Sequence, residues 1–155
     1  MLGGLVVGLA SLPAIAHDYR VGPIRIVHPY ATPTLPGKDS TAVYVGLENR
    51  GREADRLLSA TTDVAATTAM HETTIEGGVM RMREVPAIEI AAGAMVAMAP
   101  GKGPHLILGG LSRPLKEGDR LVLNLRFERA GPTSVSVWVQ AADKGAAAAK
   151  AHSGH

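Results

Sequence analysis

The chain has 155 residues, with 16 Lys and Arg against 14 Asp and Glu, five aromatic residues and no cysteine. That length fits one domain able to bury its own core without a disulfide or a structural metal, and the missing thiols exclude both a disulfide framework and a thiolate metal site. A formal charge of +2 with scattered basic residues and few rings leaves neither a phosphate-tracking stripe nor a base-stacking platform, which excludes a nucleic-acid binder.

Residues 1–16 are apolar and end in Leu12-Pro13-Ala14-Ile15-Ala16, a small-x-small pattern that predicts an export signal cut after Ala16. No Lys or Arg precedes the apolar run, as in a signal truncated at its start. The stretch is shorter than the roughly 20 residues that a spanning helix needs. The expected organisation is a signal at 1–16, one domain at 17–141 and a tail at 142–155.

From Val21 to Gln140 short alternating apolar stretches are punctuated by Gly, Pro, Asn and Asp, which predicts an all-β, antiparallel Greek-key sandwich. Strands are expected at Ile24 to Tyr30, Ala42 to Glu48, Arg56 to Ala60, Ala66 to Thr73, Val79 to Val85, Ile88 to Ile90, Ala94 to Met98 and His105 to Leu108. The clearest runs from Arg120 to Glu128, where Leu121, Leu123, Leu125 and Phe127 share one face, the period of two of a half-buried strand. Thr133 to Gln140 repeats the pattern and closes the domain. Beyond it, an alanine-rich tail ending in His152 and His155 has almost nothing large to bury and is expected to be mobile, with at most transient helix.

The residues with distinctive chemistry are His71, Met82 and His105. Glu76-Gly77-Gly78 predicts a hairpin turn that puts His71 and Met82 on paired strands, able to face each other across the ladder. Met80 shares the face of Met82. His105 follows Gly101-Lys102-Gly103-Pro104, a loop of the kind that carries binding residues at the end of a rigid sandwich. Two imidazoles and a thioether suit Cu(I), whereas Mg²⁺ and Ca²⁺ require oxygen ligands. Met70 has the opposite parity to His71 and is expected in the core, and Met95 and Met98 read as filler. His28, beside Pro29, reads as an ordinary hydrogen-bonded or exposed histidine.

The spacing and its flanks resemble the PCuAC family of periplasmic copper chaperones, whose pattern is His, ten residues, Met, about twenty-one residues, then His-x-Met. Here ten residues separate His71 from Met82 and twenty-two separate Met82 from His105. The flanks His28-Pro29-Tyr30-Ala31, Gly78-Val79-Met80-Arg81-Met82-Arg83 and Leu111-Ser112-Arg113-Pro114-Leu115 extend the resemblance over roughly Val21 to Gln140. It implies a cupredoxin-like sandwich that binds Cu(I) in the periplasm and delivers it to a cytochrome c oxidase subunit or another copper-assembly protein. The family's final Met falls at Ile107, which cannot donate to copper. The site then has three family ligands, or Met80 or a tail histidine completes it.

Auxiliary Cu(II) ligands are expected in the tail, at His152 and His155, and at His17, which after cleavage offers an α-amine beside its imidazole. No carboxylate pair or nucleophile motif suggests an enzyme or a small-molecule substrate. The competing reading is a metal-free envelope sandwich that binds a partner, its copper motif degenerate.

Overall fold

The computed structural model describes residues 18–153. The expected signal, His17 and His155 lie outside the described residues. Among the described residues eleven strands and one helix follow in the order β1 (Tyr19–Val21), β2 (Ile24–Ala31), β3 (Thr41–Asn49), β4 (Asp55–Thr61), β5 (Ala65–Glu76), β6 (Val79–Glu84), β7 (Ile88–Ile90), β8 (Met95–Ala97), β9 (Gly103–Leu111), β10 (Arg120–Phe127), β11 (Gly131–Val139) and α1 (Ala142–Ser153). In β10 burial alternates strictly, with Leu121, Leu123, Leu125 and Phe127 buried and Arg120, Val122, Asn124 and Arg126 exposed, because successive side chains leave a strand on opposite faces.

The strands form one hydrogen-bonded path, β6-β5-β9-β3-β2-β11-β10-β4-β7, with β1 added to β2 and β8 to β3. Both halves of the path line one core: Ile24, Leu47, Leu106 and Leu108 meet Leu57, Leu123, Leu125 and Phe127. This is the expected β-sandwich. The closing strand β11 works from the interior, antiparallel to β10 and parallel to β2 at Trp138↔Tyr30 and Val139↔Ala31. Strand β1 was not expected; it is held by its pairing with β2, from Tyr19↔Ile26 to Val21↔Ile24. Its Tyr19 hydroxyl accepts a hydrogen bond from the Ser136 amide at 3.0 Å.

A buried carboxylate fastens β4 to the turn between β10 and β11. Asp55 opens β4 and is 3% exposed. Its Oδ1 accepts the amides of Arg56 and Arg129 at 2.8 and 2.9 Å, and its Oδ2 accepts that of Ala130 at 3.0 Å. One side chain thereby satisfies backbone donors at the start of β4 and in the turn between β10 and β11.

Where the sequence led us to expect a mobile tail, the structure has helix α1 packed on β2. Asp143 lies in its first turn and Lys150 and His152 in its last, the arrangement that the helix dipole favours. A Cβ on Gly145 would lie 2.3 Å from Tyr30 ring atoms, so the helix backbone rests directly on that ring. Alanine is the best helix former, and a chain of small residues can approach a sheet closely; both outweighed the lack of bulky anchors. Tyr30 is left 1% exposed, its hydroxyl without a partner, and burial together with Tyr44 pushes its pKa up to about 12. Gly145→Ala gains about 1 kcal/mol of helix propensity yet is expected to lift α1 off the ring. A phenol titrating near its ordinary value of about 10 and faster amide exchange in α1 would register that release; an unmoved titration would contradict the contact.

Candidate metal centre

His71 and His105 are direct cross-strand partners in the antiparallel β5–β9 ladder, and opposed residues emerge on the same face. Their neighbours Met70 and Leu106 are also paired and are buried in the core, as expected for Met70, so the period of two sends both imidazoles to the outer face. The ring centroids lie 5.8 Å apart at an interplanar angle of 50°. Nδ1 of His105 is 3.4 Å from the Gly103 carbonyl oxygen; donation there leaves Nε2 with a free lone pair. Nδ1 of His71 is buried and has no hydrogen-bond partner. Buried polar atoms are seldom left unpaired, and an imidazole nitrogen in that state is a metal donor in waiting. Burial lowers the His105 pKa, the Gly103 carbonyl opposes this and His71 adds to it, which favours the neutral form that a ligand must have.

The site lies on the sheet face, not on a rim loop. Gly103 and Pro104 pair with Thr73 and Glu72, so the long strand β5 draws the expected loop into β9. His105 is only 6% exposed, with the Tyr44 ring centroid 6.3 Å away.

Met82 is placed differently from its expected position opposite His71. Gly77 and Gly78 adopt φ of +58° and +78°, the conformation of a two-residue hairpin turn that other residues adopt poorly. Glu76 therefore pairs with Val79, which sets Thr73 opposite Met82 and His71 opposite Glu84. Met82 keeps the face of His71 but lies one pleat repeat along, about 7 Å, and is 60% exposed. Its three rotatable bonds let the sulfur lean toward the imidazoles. Met80 lies one repeat farther and is 56% exposed, out of reach of an ion held between the two rings. Ile107 shares the face of His105, flanked by Ala69 on β5 and Ala42 on β3.

Among the described residues no three His, Asp or Glu side chains gather into a metal-binding group. The donors available on this face are an imidazole pair and thioethers, a set suited to a soft ion.

Two further residues belong to this face and were not singled out by sequence. Tyr44 and Tyr30 are cross-strand partners in β2 and β3 with ring centroids 5.2 Å apart. Their placement depends on a β-bulge: Val27 pairs with Gly46 but Tyr30 with Tyr44, so one extra residue on β2 reverses its parity. Ile24 and Ile26 point to the core before the bulge, and Tyr30 turns to the outer face after it. His28 sits in the bulge at φ +41°, far from ordinary for a non-glycine residue. Its Nε2 is 3.0 Å from Gln140 Oε1, and its ring centroid is 5.2 Å from that of His152 on α1. Burial lowers the His28 pKa, with Gln140 opposing and His152 reinforcing the shift.

The folded strand path and the outer-face imidazole pair define a cupredoxin-like β-sandwich domain. It is similar to the copper-bound PCuAC domain from PmoF2, with 28% identity over 81% of this chain and 98% of that one and a TM-score of 0.70. It is also similar to the Cu(I) form of DR1885 from Deinococcus radiodurans, with 28% identity over 82% of this chain and 83% of that one and a TM-score of 0.61. Residues 24–139 match the LpqE-like family ("Putative lipoprotein LpqE-like"); the chain belongs to this family, which is related to PCuAC. A relative from Leifsonia xyli subsp. xyli (strain CTCB07), "Putative lipoprotein Lxx21020", is 32% identical over 105 residues, covering 67% of this chain and 63% of its own length. Among the described residues no helix is long and apolar enough to cross a membrane.

Proposed function

We propose that the protein is a copper chaperone of the periplasm that holds Cu(I) between His71 and His105, with Met82 as third donor. It delivers the ion to a membrane oxidase copper centre or another copper-assembly protein. The observation that carries this reading is the direct pairing of two histidines on one sheet face, one with a buried, partnerless Nδ1. A centroid separation of 5.8 Å is short enough for one ion with Cu–N bonds of about 2 Å, by analogy with zinc, to reach a nitrogen of each ring.

Support also comes from the copper-bound PmoF2 domain and Cu(I)-DR1885, each 28% identical to this chain. The lipoprotein names of its relatives support an exported chain. The role is cargo transfer, not catalysis. Met82 on the exposed hairpin is the donor that an acceptor protein can reach first, so exchange begins there while the buried His105 holds the ion to the end.

Competition against a colorimetric Cu(I) chelator tests the reading. The full chain is expected to take one Cu(I), and His71→Ala to lose it. Ile107→Met, which restores a thioether between Ala69 and Ala42, is expected to tighten binding about tenfold, about 1.4 kcal/mol. Absence of any Cu(I) stoichiometry would instead favour the metal-free interaction module, and affinity indifferent to both substitutions would remove the site.

A further inference from the structure

The structure holds a second imidazole pair, separated from the first by the rings of Tyr30 and Tyr44. His28 and His152 come from elements that the chain separates by more than a hundred residues, the β2 bulge and the last turn of α1, yet their ring centroids are 5.2 Å apart with an interplanar angle of 32°. Nδ1 of His152 is buried and has no hydrogen-bond partner. His28 is fixed from the other side: donation from its Nε2 to Gln140 Oε1 at 3.0 Å leaves Nδ1 as its free donor, the way a carbonyl partner commonly sets the tautomer of a metal-bound histidine. Its φ of +41° is a conformation that costs of order 1–3 kcal/mol and tends to persist at functional positions, and the bulge is the device that re-aims the side chain.

We propose that His28 and His152, oriented by Gln140, form a site for a borderline divalent transition-metal ion whose occupancy clasps α1 onto the sheet. The separation of 5.2 Å is short enough for one ion with metal–nitrogen bonds of about 2.0–2.1 Å to reach a nitrogen of each ring. Two neutral nitrogens completed by water suit Zn(II), and Cu(II) would bind the same donors more tightly by the Irving–Williams order. An ion bridging sheet and helix stabilises the docked state over the free one, so binding and docking are linked. The site uses a sheet histidine that sequence reading set aside, and it needs neither His17 nor His155.

Zinc is the probe, because it has no redox chemistry and cannot be reduced and pass into a Cu(I) site. Calorimetric titration is made on the full chain carrying His71→Ala and His105→Ala, which separates the result from the fate of the copper reading. One equivalent of Zn(II) is expected to bind, with affinity reduced by about 100-fold or more in His152→Ala and in His28→Asn, since Asn tolerates positive φ. Gln140→Ala is expected to weaken it about tenfold, as loss of an orienting partner does. Zinc should also slow amide exchange in α1, an effect that His152→Ala abolishes without touching the sandwich. Zinc affinity unchanged by His152→Ala, or lost on removing Gly154 and His155 alone, would overturn the proposal.

Discussion

His105→Ala is expected to lower Cu(I) affinity by about 100-fold or more while the sandwich stays folded. Removing an outer partner of a metal ligand already costs about 10–100-fold, and His105 is itself a donor. It is also the most restrained of the three proposed ligands: 6% exposed, beside Tyr44 and within 3.4 Å of the Gly103 carbonyl. Met82→Ala should cost less, because Met82 is 60% exposed and must surrender side-chain freedom to bind. Chelator competition on the two variants measures the order directly. Equal losses would mean that the thioether, not the buried imidazole, anchors the ion, and no loss in His105→Ala would dissociate the pair from copper.

Asp55→Ala is expected to destabilise the fold by about 3 kcal/mol, read as a lower urea midpoint with an unchanged slope. Its carboxylate accepts three backbone amides, and hydrogen bonds to charged groups are worth about 1.5–3 kcal/mol each, with a further cost where a buried donor is left unpaired. The turn between β10 and β11 should loosen in part and let water reach some of these amides, which keeps the total below a simple sum. Asp55→Asn retains one carbonyl acceptor and should lose roughly half as much. Copper affinity of the folded fraction should not change, since the partners of Asp55 are the amides of Arg56, Arg129 and Ala130 and not His71 or His105. A loss below about 0.5 kcal/mol, typical of an ordinary surface change, would show that the turn holds without this clamp.

The strands were legible wherever one face is dry and the other wet. Arg120–Phe127 and Ile88–Ile90 stand where alternation put them, because burial on a half-covered sheet writes a period of two into the residues themselves. The hairpin at Gly77 and Gly78 was legible as a turn, but its register was not: with only two residues in the turn Glu76 pairs with Val79, and counting outward from that pair sets Met82 opposite Thr73 and Glu84 opposite His71. Helix α1 was misjudged because its stability comes from a backbone resting on Tyr30 through Gly145, and the absence of a side chain is a weak signal.

The amino-acid sequence by itself determined an all-β domain without thiol chemistry and a soft-donor set at His71, Met82 and His105, since composition and local periodicity carry that information. Only the tertiary structure decided which donors meet. The ladder between β5 and β9 joins His71 to His105 across 34 positions of chain, and one extra residue at the β2 bulge turns Tyr30 outward and brings His28 to His152. Register and parity are properties of paired strands, fixed by the hydrogen bonds of a partner that no single stretch of sequence contains.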